Sequence, residues 1–77
     1  MKLESTIAQA LGLTVDDVTD DLSLDTCDAW TSMAHIGLLS ALESAYGITF
    51  EIEESIEMDS VEAIREVLEA RGISLDA

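Results

Sequence analysis

Three glycines set the frame. Gly12, Gly47 and Gly72 each follow an amphipathic stretch, and the chain has no proline. Glycine just past the last apolar residue of such a stretch is a helix stop, because it enters the left-handed conformation without a Cβ penalty. The first stretch places Leu3, Ile7, Ala10 and Leu11 on one face. The second starts near Ser32, after Thr31 as a competent cap, with Met33, Ile36, Leu39 (beside Leu38), Leu42 and Tyr46 at helical spacing. The third carries Val61, Ile64, Val67 and Leu68, with Arg65 and Glu69 as an i,i+4 pair and Asp59 and Glu62 as a capping-box pair at its start. The reading is all-α: a small bundle of three main helices, a short fourth helical segment at Glu53–Glu57, and a long first loop from Leu13 to Thr31.

That loop is long for a compact domain, and Val15, Val18, Leu22, Leu24 and Trp30 are expected to pack it. Trp30 is expected to pin it against the bundle. Ile48, Phe50 and Ile52 alternate with polar residues but have no second strand to pair with, so they read as an extended segment resting its apolar side chains on the core.

Charge narrows the function. The chain has 77 residues, with 17 Asp+Glu against 3 Lys+Arg and a formal charge of -14. Such a surface repels phosphate backbones and lacks the basic clusters that anionic membranes attract, so neither nucleic acid nor membrane is an expected partner. Hydrophobic residues make up 48% of the chain, well above the signature of a disordered acidic segment. A single domain over residues 1–77 is expected, with a core that rarely yields more than about 3–5 kcal/mol net at this size. The lone cysteine, Cys27, allows no internal disulfide, has no nearby cation to activate it, and reads as an incidental small residue. No apolar leader precedes the first helix, and a monomeric, cytoplasmic protein is the expectation.

Ser32 is the candidate centre. A hydroxyl at the first residue of a helix is exposed, and the helix N-terminus favours an anionic group attached to it. Gly37 reads as a surface glycine in the helix interior. A Ser32–His35 dyad with an acid from Asp25 or Asp28 lacks a nucleophile elbow and room for a substrate pocket, so no enzyme is expected and His35 is placed at the surface, in contact with partners. Asp17, Thr19, Asp21, Ser23, Asp25 and Asp28 fall at positions 1, 3, 5, 7, 9 and 12 of an EF-hand-like register, but Leu22 stands where the tight turn needs glycine and Asp28 is shorter than the usual glutamate. No metal site is assigned there.

The segment from Trp30 to Ile48 resembles the core of acyl carrier proteins, in which an Asp-Ser-Leu motif opens the second helix and an Ala-Leu-Glu run leads to an aromatic-Gly-Ile end. Leu11-Gly12-Leu13, Asp16-Asp17-Val18 and Asp21-Leu22 resemble that family's first loop, and Ile56, Met58 and Val61 its third and fourth helices. The resemblance implies that Ser32 carries 4′-phosphopantetheine, added from coenzyme A by a phosphopantetheinyl transferase, with acyl groups held as thioesters on the arm. It implies an acyl-activating enzyme and a synthase or acyltransferase as further partners, and arm or partner contacts at Thr31, Met33, His35, Ile36, Asp28 and Met58. Met33, Ile36, Leu39, Ile56, Met58, Val61 and Ile64 would line a groove for the chain. The sequence departs from the family pattern at Thr31 and Met33, and at Ala34 and Gly37, where the family carries acids; Glu43 is the remaining charge from Ser32 to Tyr46. The pattern around Ser32 resembles specialised carriers more than the housekeeping carrier of fatty-acid synthesis. A peptidyl or aminoacyl carrier, or an unmodified carrier-like interaction module, shares these features.

Overall fold

The computed structural model describes residues 2–73 and Leu75. Four helices follow in order: α1 (Lys2–Leu11), α2 (Ser32–Tyr46), α3 (Ile52–Glu57) and α4 (Val61–Ala70). A single 3-10 turn, Val15–Asp17, interrupts the first loop. The architecture is thus the expected one of three main helices plus a short fourth. Helix α2 ends where Gly47 turns left-handed at φ 66°, letting the Gly47 and Ile48 N–H groups both donate to the Glu43 carbonyl.

The core is one cluster. Leu3, Ile7, Ala8 and Leu11 of α1 meet Leu38 and Leu42 of α2 and Val61, Ile64 and Leu68 of α4, with Val18, Trp30 and Met58 filling in from the connections. Each fully buried leucine or isoleucine contributes about 1.5–3 kcal/mol relative to exposure. On α2 the inward stripe is Leu38 and Leu42, one turn apart, so Met33 and Ile36 lie on a different face and stand out in solvent at 80% and 65% exposure.

The first loop is fastened by backbone. Leu24 N–H donates to Asp59 O at 2.9 Å and Val61 N–H to Leu22 O at 3.0 Å, closing an antiparallel bridge between Ser23 and Ser60. Val18 and Trp30 are buried, and Leu13, Leu22 and Cys27 pack against the core, whereas Val15 and Leu24 are exposed. The bridge also corrects the start of α4. Ser60, not Asp59, is the cap: its hydroxyl accepts from Ala63 N–H at 3.0 Å while Asp59 offers its carbonyl to the loop.

The three cations each tie distant pieces together. Lys2 donates to Ala45 O at 2.7 Å and sits 4.9 Å over the Tyr46 ring, joining α1 to the end of α2. Arg65 reaches Glu4 at 3.3 Å and Asp20 at 3.1 Å, rather than the Glu69 one turn on. Arg71 makes a two-pronged contact to Glu54 at 2.6 and 2.8 Å, donates to Thr49 O, and holds α3 near the end of α4.

Candidate functional site around Ser32

Thr31 caps α2. Its side-chain oxygen accepts from Ala34 N–H at 3.1 Å, and its carbonyl accepts the first helical bond from His35 N–H at 2.8 Å. Ser32 follows as the first helical residue and is exposed. Its own N–H and that of Met33 belong to the unpaired first turn and face outward along the axis. Of the four described helices, α2 alone has no acidic residue in its first turn; α1 has Glu4, α3 has Glu53 and Glu54, and α4 has Glu62. The positive end of the longest helix is therefore left unneutralised in a strongly acidic chain, directly behind an accessible hydroxyl. This arrangement suits a phosphodiester on Ser32.

An apolar surface adjoins the serine. Met33 and Ile36 on α2, and Ile52 and Ile56 on α3, are all strongly exposed. Between the two helices runs an open groove of about 300 Å³ lined by Ile36, Leu39, Phe50 and Ile52, with Glu43 at its wall. Glu43 is not a free surface charge, because its carboxylate accepts from Phe50 N–H at 2.8 Å. Ile48 and Phe50 rest on the core as expected, but Ile52 does not. Glu51 N–H donates to Glu54 at 2.8 Å, which starts α3 there and turns Ile52 outward. A second groove of about 490 Å³ lies between α1 and α2, lined by small and uncharged residues such as Thr6, Gly37 and Ala41.

Several expectations are corrected. Met58, expected as an arm or partner contact, is fully buried in the core, together with Val61 and Ile64. The seven residues expected to share a groove divide into a sealed core set, a groove-lining pair in Ile36 and Leu39, and the exposed Met33 and Ile56. His35 is half-buried with both ring nitrogens engaged: Nδ1 accepts from Trp30 Nε1–H at 3.0 Å, and Nε2 lies 3.0 Å from Ser55 O. Neither nitrogen is directed to Ser32, so the two do not form a dyad. Asp28 is exposed on the loop, as is Asp25. Other loop acids are engaged, Asp20 by Arg65, Asp17 by Thr14 and Asp21 by Thr19. Among the described residues no three His, Cys, Asp or Glu side chains gather as a metal-binding set. Cys27 is half-buried and packs against the core.

On α3 the Arg71 guanidinium, with Glu51 N–H adding to it, holds the Glu54 carboxyl far below its ordinary range, at about 2. Among the described residues no helix is long and apolar enough to cross a membrane. Comparison with known proteins finds no matching family model and no matching curated protein.

Proposed function

We propose that this chain is a carrier protein that holds acyl groups as thioesters on a 4′-phosphopantetheine arm attached to Ser32. The observation that supports it most is the exposed Ser32 hydroxyl at the first residue of the one described helix whose first turn lacks an acid. A phosphate there would meet the outward N–H groups of Ser32 and Met33 and the unneutralised helix end. The arm, when attached, supplies a long flexible thiol. The chain's own residues do the rest. Thr31 fixes the helix start, and Met33, Ile36, Ile52 and Ile56 offer partners an apolar face beside the attachment point. The groove between α2 and α3 offers the cargo an apolar wall.

The partners in this reading are a phosphopantetheinyl transferase, an acyl-activating enzyme, and a synthase or acyltransferase. Asp25 and Asp28, exposed on the loop that leads to Ser32, give them a negative rim to read, so basic docking surfaces are expected. The chain itself is a shuttle without catalytic residues, working as a cytoplasmic monomer. The second reading is an unmodified interaction module, favoured by the same four exposed apolar side chains. Intact mass after incubation with coenzyme A and a broad-specificity transferase separates the two. A gain of one phosphopantetheine on wild type, absent in Ser32→Ala, is the expected result; an unchanged mass with every transferase tried refutes the carrier reading.

A further inference from the structure

His35 is the one histidine of the chain and Trp30 the one tryptophan, and the two are joined. An indole nitrogen only donates, so the Nδ1 that receives Trp30 Nε1–H carries no proton. A carbonyl only accepts, so the Nε2 that faces Ser55 O carries one. The two neighbours together require a neutral imidazole protonated on Nε2.

Both bonds answer groups that would otherwise lack partners. Trp30 is 2% exposed, and a buried indole N–H without an acceptor is costly. The Ser55 carbonyl is one of the last four of α3, and the N–H four residues on, at Asp59, donates to Glu57 instead. The ring thus bridges the end of the first loop to α3, and it does so from the first turn of the helix that begins with Ser32. Helix α3 has few other fastenings. It buries no residue of its own, and the Arg71–Glu54 pair ties it to the residue that follows α4.

We propose that His35 is a positioning residue for the modification of Ser32: as the Nε2–H tautomer it sets the loop on one side of the serine and α3 on the other, so that a transferase meets both at once. This rests on the carrier reading above. Three substitutions separate the parts. His35→Ala removes both bonds. His35→Asn keeps an acceptor where Nδ1 lies and so keeps Trp30. His35→Gln keeps a donor where Nε2 lies and so keeps Ser55.

Two measurements are read on folded protein, checked by circular dichroism below each variant's melting point. The first is the indole N–H resonance of the single tryptophan. It is expected to be shifted and protected from exchange in wild type and His35→Asn, and to exchange as a free indole in His35→Ala and His35→Gln. The second is steady-state transfer from coenzyme A. His35→Ala is expected to raise KM about two- to ten-fold, the factor that one hydrogen bond's net contribution carries, with kcat little changed. His35→Asn and His35→Gln fall between. A free-indole signal in wild type overturns the bridge. A folded His35→Ala with wild-type KM overturns the positioning role. A wild-type chain that accepts no arm overturns the carrier reading and the positioning role with it, while the indole signal still reads the bridge by itself.

Discussion

Thr31 offers the sharpest test of how the helix that bears Ser32 is built. Its hydroxyl accepts from Ala34 N–H at 3.1 Å, so Thr31→Ala leaves that donor without its cap. Loss of an N-cap oxygen costs about 1 kcal/mol, within a range of about 0.5–2. For a domain of this length 1 kcal/mol moves the melting point by about 4–8 °C. Thr31→Asp keeps the oxygen and adds a negative charge at a helix end that has no acid in its first turn. That charge stabilises by about 0.3–1 kcal/mol, reduced by repulsion from the exposed acids of the loop. Melting followed by circular dichroism in about 0.15 M salt, where charges beyond roughly 8 Å are screened, reads the local terms. The expected order of melting points is Thr31→Asp above wild type above Thr31→Ala. In the carrier reading the advantage of Thr31→Asp shrinks once the phosphodiester is attached, because both anions then share one helix end. A Thr31→Ala protein that melts with wild type would show that the cap contributes nothing. A Thr31→Asp protein that melts below Thr31→Ala would refute the argument that this helix end is electrostatically unfilled.

Glu54 predicts an acid limb. Its carboxyl is held at about 2, below its ordinary 4.5, so the stability it contributes is present above 4.5 and is lost as pH falls toward 2. Urea unfolding across that window should show this loss in wild type and a smaller one in Glu54→Gln; equal slopes would refute the Arg71–Glu54 tie. The glycines predict opposite signs. A Cβ at Gly37 or at Gly47 meets nothing within 4 Å, so only the backbone differs. Gly37→Ala in the helix should stabilise by about 0.5–1 kcal/mol, whereas Gly47→Ala at φ 66° should cost about 1–2 kcal/mol. Thermal melts of the two variants check the signs. Leu42 is fully buried between the helices, and Leu42→Ala should cost about 2–5 kcal/mol, enough to abolish the cooperative transition of so small a core.

The helices were legible because their signals are local. Glycine closes each of the three main ones, and apolar spacing marks the faces of α1 and α4. What was not legible depends on partners far along the chain. Asp59 and Ser60 are both competent caps side by side, and the choice falls to Ser60 because the Asp59 carbonyl is taken by Leu24 in the loop bridge. Arg65 has a local carboxylate in Glu69, yet it reaches Glu4 and Asp20, which the packing of α1 and the loop bring to it. On α2 almost every turn offers apolar residues, so periodicity alone could not say that Leu38 and Leu42 go inward while Met33 and Ile36 stay out. Met58, in the turn between α3 and α4, is folded into the core, which no local pattern announces.

The same contrast separates Ser32 from His35. The position of Ser32 at a helix start is a local property of Thr31 and the residues that follow it, and its reading as an attachment point rests on the resemblance to carrier proteins. His35 looked like an isolated polar side chain one turn on, and nothing nearby in the sequence says that an indole and a carbonyl 20 residues away would both need it. The charge pattern then joins the two. With 17 acids and 3 cations, and each cation already tying separate parts of the fold, the chain has no cation to spare for a phosphate. An anion on the exposed Ser32 would have solvent and the free N–H groups of the first turn as its partners. The first turn of α2 has no acid to oppose such an anion. In the carrier reading, Thr31 in place of the motif's aspartate removes a charge that a transferase could read, and recognition would fall to the exposed apolar face and to Asp25 and Asp28.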